Sequence, residues 1–108
     1  MFRGDVWDVR FPSPVGPRPA LVLTMSVLLP RLGGVTVAEV TGMEGPATTH
    51  LDVPPEVGVT GRGRSWVNVT ALHTVPKGKL RRYRGRLAAA DMARVEEAVR
   101  RYLDLEQG

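Results

Sequence analysis

One helical pattern, standing at the C-terminal end behind a series of short strand-like pieces, limits the folds open to this chain. Met92, Val95, Val99 and Tyr102 recur at spacings of three and four with Leu103 beside them, which lays an apolar stripe along one side of a helix. On the other side Glu96 precedes Arg100 and Glu97 precedes Arg101 by four residues. That order predicts two ion pairs of about 0.2–0.5 kcal/mol each. A helix with one apolar stripe must dock it, and a small β-structure is the one surface the preceding residues offer.

That β-structure is read from its punctuation: 12 glycines and 9 prolines cut the 108 residues into short pieces. Residues 5–11 alternate polar and apolar around Val6, Trp7 and Val9, the pattern of a half-buried strand. Residues 12–17 hold three prolines and a glycine and cannot continue a ladder. Residues 19–24 are a short apolar run led by Pro19, which predicts a central strand buried on both faces. Residues 25–32 read as a single helical turn interrupted at Pro30, and Gly33-Gly34 opens a β-branched strand over 35–40. Residues 48–53 suit an edge strand that Pro54-Pro55 ends. Residues 65–75 form the longest strand candidate, 76–79 a turn, and 80–85 a last short strand. The sum is a mainly β single domain: a small barrel of five or six strands followed by one helix.

A hydrophobic content of 43% and a charged content of 24% argue for a folded chain. The absence of cysteine excludes disulfides and thiolate metal sites. No apolar run approaches the ~20 residues of a membrane span, and Asp5 stands where a secretion signal would need apolar residues. A soluble, cytoplasmic protein is expected. Charge is strongly segregated: residues 57–90 contain no acid but eight of the fifteen basic residues, and eleven acids outnumber the other seven. A one-signed field of this kind suits a polyanion such as nucleic acid. Arg62, Arg64, Lys77, Lys79, Arg82 and Arg84 are its candidate contacts, with Tyr83 between two arginines placed to stack a base. Trp66 beside Arg64 offers a similar pairing, although strand alternation equally allows it a place in the core.

Several motifs then converge. Arg3-Gly4-Asp5-Val6-Trp7, the Arg18-Pro19-Ala20-Leu21-Val22-Leu23 run, and Val35 to Thr41 ending in a threonine occur in that order. After them come Ser65-Trp66-Val67, His73-Thr74-Val75-Pro76-Lys77-Gly78-Lys79-Leu80, and Gly85-Arg86-Leu87 before the helix. This ordered set resembles the MazF/PemK toxins of type II toxin–antitoxin systems over nearly the whole chain. The resemblance implies an SH3-like β-barrel of the CcdB/PemK type, a homodimer, a cognate antitoxin with an acidic, partly disordered tail, and no cofactor or metal. It further implies a metal-independent endoribonuclease that uses the 2′-hydroxyl of single-stranded RNA as nucleophile, leaving 2′,3′-cyclic phosphate and 5′-hydroxyl ends.

The family's two functional residues map onto Arg18 and Thr41. A pentavalent phosphorane gathers charge on its non-bridging oxygens, which a guanidinium can bind in pairs. Pro19 biases Arg18 toward an extended backbone, and Thr41 can donate one hydrogen bond to the same phosphate. Arginine is a poor acid, so electrostatic stabilisation is its expected role. The chain departs from the family in a short loop before Arg18, in Thr70-Ala71-Leu72-His73 where many members carry an amide and an arginine, and in Gly42 after Thr41. These departures bear on specificity. His50 and His73 suggest an acid–base pair, but Ala71 and Val75 beside His73 point to a hydrogen-bonded structural histidine. His50 is kept as an auxiliary candidate. Two other readings share the fold: a nucleic-acid-binding SH3-like module without catalysis, and a CcdB-like gyrase poison.

Overall fold

The computed structural model describes residues 1–59 and 63–105. Six strands, β1 (Asp5–Arg10), β2 (Pro17–Val22), β3 (Gly34–Thr41), β4 (His50–Val53), β5 (Ser65–Pro76) and β6 (Leu80–Arg86), precede one helix, α1 (Ala89–Tyr102). They form one sheet in the order β4-β5-β3-β2-β1-β6, with every neighbouring pair antiparallel. The helical turn expected over 25–32 is a 3₁₀ turn, Leu29–Arg31, which contains Pro30 rather than being broken by it. A proline in the first turn lacks only an N–H that would have no partner there.

The expected barrel is not closed by strand pairing. β4 and β6 are the two edges, and no ladder joins them among the described residues. A 3₁₀ turn directly after β4, Pro55–Val57, packs on β6 instead, so the sheet curls until its edges nearly meet. Arg84 spans the gap by donating to the carbonyl of Gly58. Val57 lies so close to Gly85 that a Cβ there would sit 2.9 Å from its Cγ1. Gly85 also has φ +146° and marks a bulge, where the β1–β6 register passes from Val6↔Gly85 to Trp7↔Tyr83.

Two apolar clusters flank the central strands. One joins Val6, Leu21, Ala38, Val40, Val67 and Val69 to Val95 and Ala98 of α1. The other joins Val9, Phe11, Ala20, Val22, Val35 and Val37. Each fully buried valine or leucine contributes about 1.5–3 kcal/mol of transfer free energy. Residues 19–22 are buried throughout, as expected of a strand covered on both faces. The helix departs from the expected stripe at its end: Tyr102 and Leu103 are exposed, and Ala98 is buried in their place. Glu97 does pair with Arg101, at 3.0 Å, but Glu96 turns from Arg100 to Arg3.

The Arg3-Gly4-Asp5 motif proves to be structural. Gly4 has φ +95°, a left-handed conformation that favours glycine, and its backbone bonds both Val22 and Leu87. Buried Asp5 accepts from the Phe2 amide at 2.7 Å and from Arg86 Nε at 2.8 Å, and Arg3 also donates to the Leu23 carbonyl. These three residues tie β1, β2, β6 and α1 together at one corner.

Candidate active site

β2 and β3 pair at Val22↔Val37, Leu21↔Ala38 and Ala20↔Glu39, and the ladder stops there. The reason is chemical. Leu23 donates its amide to the Thr36 carbonyl at 2.9 Å, while the Val22 carbonyl faces the other way and accepts from Gly4. Backbone polar groups alternate along a strand, so the β2 positions that turn their nitrogens toward β3 are 23, 21, 19 and 17. The last two are Pro19 and Pro17, which have no N–H to offer. Pairing with β1 is untouched, because it runs through Val9↔Arg18.

Carrying the β2–β3 register two residues further sets Arg18 opposite Thr41. The strands enclose there a cavity of about 230 Å³ lined by Pro17, Arg18, Val40, Thr41, Gly42, Met43 and Val59. The two residues that the family resemblance selected thus face one another across the unzipped end of a ladder. Thr41 Oγ1 accepts from the Met43 amide at 3.1 Å, which fixes the oxygen and leaves its proton to donate. Arg18 Nη1 donates to Glu39 Oε1 at 2.9 Å, and Arg18 Nε is buried without a hydrogen-bond partner. That leaves Nη2 as the terminal guanidinium nitrogen with no hydrogen bond among the described residues.

Glu39 was not singled out by sequence reasoning. Its signal was there to find: it is the one acid in the strand Gly34–Thr41, a place where a buried charge demands partners. Its second oxygen, Oε2, lies 2.5 Å from His73 Nε2, and the His73 ring packs on Phe11 with centroids 4.7 Å apart. His73 is thus the hydrogen-bonded histidine its neighbours suggested. On the other side of Arg18 a cavity of about 260 Å³ is lined by Asp8, Pro17, Arg18, Pro19, Val59 and Arg84. Arg84 donates there to Asp8 at 3.3 Å.

The basic stretch does not form one patch. Arg64 stacks over Trp66 at 5.1 Å, and Trp66, 7% exposed, is the β5 partner of Thr41, so this pair stands at the cavity's end of the sheet. Arg82 is exposed on β6, and Tyr83 is 51% exposed with its ring edge-on to Trp7 at 5.7 Å. Lys77 and Lys79 follow the opposite end of β5, where Pro76 pairs with Gly34. Seven residue steps along β3 separate that pair from Thr41, roughly 23 Å at the rise of a strand. Lys77 there donates to the Leu29 carbonyl. Arg62 lies outside the described residues. His50 packs against Gly45, bonds Thr49 Oγ1 through Nδ1 at 2.9 Å, and does not line the Arg18–Thr41 cavity.

A larger cavity of about 470 Å³ lies between β4 and α1, lined by Thr48, Leu51, Arg94 and Arg101 among others. Beside it Arg94 Nη2 donates to Asp52 Oδ1 at 2.8 Å, and this bond, with the guanidinium charge, holds the Asp52 carboxyl below its ordinary range. Among the described residues no helix is long and apolar enough to cross a membrane, and no group of three or more His, Cys, Asp or Glu could hold a metal ion.

Residues 2–103 match the family model of the PemK-like, MazF-like toxin of type II toxin–antitoxin systems. A probable endoribonuclease MazF2 of Mycobacterium tuberculosis (strain CDC 1551 / Oshkosh) is 33% identical over 100 residues, which span 91% of this chain and 90% of the relative. Among solved structures, the Mycobacterium tuberculosis toxin MazF-mt6 superposes with a TM-score of 0.82 at 30% identity, over 95% of this chain and 99% of that one. A mycobacterial endoribonuclease in complex with its cognate antitoxin gives 0.83 at 20% identity, covering 100% and 99%. The latter likeness speaks to the fold alone.

Proposed function

The chain belongs to the PemK-like, MazF-like toxin family of type II toxin–antitoxin systems, and from that membership we propose that it is an endoribonuclease toxin acting on single-stranded RNA without a metal ion. The observation that carries this reading is the opposition of Arg18 and Thr41 across a cavity that two prolines keep unzipped. A scissile phosphodiester enters there with its non-bridging oxygens against the Arg18 guanidinium. The ribose 2′-oxygen attacks phosphorus as its proton passes to solvent water, which returns one to the departing 5′-oxygen, and charge grows on the equatorial oxygens of the phosphorane. Arg18 and the Thr41 hydroxyl meet that charge as fixed donors. Expulsion of the 5′-oxygen, which gains a proton, leaves a 2′,3′-cyclic phosphate and a 5′-hydroxyl.

Flanking nucleotides have candidate contacts in Arg64, Arg82, Arg84 and the exposed face of Tyr83, whose stacking suits any base. Arg62, Lys77 and Lys79 complete the basic set. Lys77 and Lys79, at the far end of β5, suit a strand that runs along the sheet or a second chain in a dimer. Family membership supports a homodimer, a cognate antitoxin and a cytoplasmic setting. The antitoxin reading draws support from the family model itself, which is that of a toxin of type II toxin–antitoxin systems.

The test is incubation of purified protein with long single-stranded RNA in EDTA. Cleavage to cyclic-phosphate ends is expected, with Arg18→Ala lowering kcat about 10²–10³-fold, as removal of a preorganised donor does elsewhere. Binding without cleavage would replace the nuclease by a non-catalytic RNA-binding module.

A further inference from the structure

Arg18, Glu39 and His73 come from three adjacent strands and form one diagonal row. Glu39 pairs in register with Ala20, two residues beyond Arg18, and His73 pairs with Val37, two residues before Glu39. Each contact is therefore a diagonal cross-strand neighbour of the kind a sheet brings within reach of long side chains. Along the row run the bonds Arg18 Nη1 to Glu39 Oε1 at 2.9 Å and His73 Nε2 to Glu39 Oε2 at 2.5 Å. The Glu39 side chain is 11% exposed, against 35% for Arg18 and 32% for His73. Facing an ionised carboxylate, which can only accept, His73 Nε2 carries the hydrogen.

We propose that Glu39 and His73 are positioning residues for Arg18: Glu39 clamps the guanidinium by one nitrogen so that its other edge faces the cavity, and His73 anchors the carboxylate that does so. This rests on the ribonuclease reading. An arginine side chain has many rotamers, and in a site of this kind each lost constraint spreads its charge over positions that do not meet the phosphate. The clamp has a cost. Glu39 is a nearly buried negative charge beside the position of an anionic substrate, and it weakens ground-state binding through the same low-polarity surroundings. Glu39 thus raises turnover while loosening the RNA.

That opposition separates positioning from a merely structural role. Three variants, Glu39→Gln, His73→Ala and His73→Gln, are compared with the wild type for kcat and KM on a fluorogenic RNA. Their affinity for the same RNA with uncleavable 2′-O-methyl groups is measured alongside, with melting curves to confirm folding. Glu39→Gln is expected to lose about tenfold or more in kcat yet bind the methylated RNA about three- to tenfold more tightly. His73→Ala is expected to lose kcat without that gain in affinity, because the Glu39 charge remains. His73→Gln, whose amide can still donate to Glu39, is expected to recover most of the loss.

Equal kcat in Glu39→Gln and wild type overturns the proposal, as does a loss of kcat with unchanged or weaker affinity for the methylated RNA. Should Glu39→Gln fail to fold, His73→Gln performing no better than His73→Ala is sufficient to overturn it. A wild-type protein that leaves RNA intact removes the ribonuclease reading and this inference with it, whereas a wild type that cleaves alongside indifferent variants removes this inference alone.

Discussion

Two prolines hold the Arg18–Thr41 cavity open, so giving both positions back their amides should close it. In Pro17→Ala/Pro19→Ala the backbone of β2 regains two donors on the side facing β3, where the undisturbed part of the ladder already points its own. Each new bond is worth about 0.5–1.5 kcal/mol net, which tilts the balance between paired and unpaired strands by about 1–3 kcal/mol. At RT of about 0.59 kcal/mol the ratio of open to closed strands falls about five-fold to more than a hundred-fold, and apparent affinity for substrate falls in proportion to the open fraction once the closed form dominates. A closed ladder brings paired strands to about 4.8 Å apart, with no room between Arg18 and Thr41 for a phosphate. Global stability moves much less, because each lost proline also frees the unfolded chain by about 0.4–1 kcal/mol. The assay is kcat/KM for RNA cleavage beside hydrogen exchange of the two amides that the substitutions introduce. Protected amides with kcat/KM lowered five-fold or more are expected. Protected amides with wild-type cleavage would refute the idea that the unpaired strand end is the substrate site. Freely exchanging amides would refute the claim that missing donors keep the strands apart.

Two further outcomes test the frame around the site. Gly85→Ala places a Cβ 2.9 Å from Val57 at φ +146°, where side chains are strained, and should cost about 1–3 kcal/mol, read as a fall of several degrees or more in Tm. Asp52 is held below the ~3.9 of an ordinary aspartate by Arg94, so the fold favours its ionised form. Its contribution is complete above the unfolded value and is lost as pH falls through the lower folded value. Both partners are well exposed, so the effect on Tm is small. A carbon-detected titration should find the Asp52 carboxyl below the usual range, and Arg94→Ala should return it there.

Much of the architecture was legible because strands and helices write their period into the chain. Residues 65–75 and 35–40 fall inside β5 and β3, and the C-terminal pattern inside α1 except for Leu103, which follows its last residue. The misreadings share one cause. Tyr102 and Leu103 fit the helical stripe by spacing, yet both are exposed, and Ala98 is buried instead. Glu96 had a partner four residues on, but Arg3 from the far end of the chain lies closer in space. In each case the surroundings in three dimensions, and not the spacing along the chain, decided the outcome.

Local chemistry alone settled the order of elements, the positions where proline must break a ladder, and the residue types able to hold a phosphate. All of these depend on backbone geometry and side-chain donors within a few residues. That Arg18 and Thr41 line one cavity, that Glu39 and His73 stand beside Arg18, and that Arg64 and Lys77 lie at opposite ends of β5 were decided by strand register. Register joins residues 21, 34 and 38 positions apart, and it is chosen by the burial of both apolar clusters at once rather than by any segment by itself.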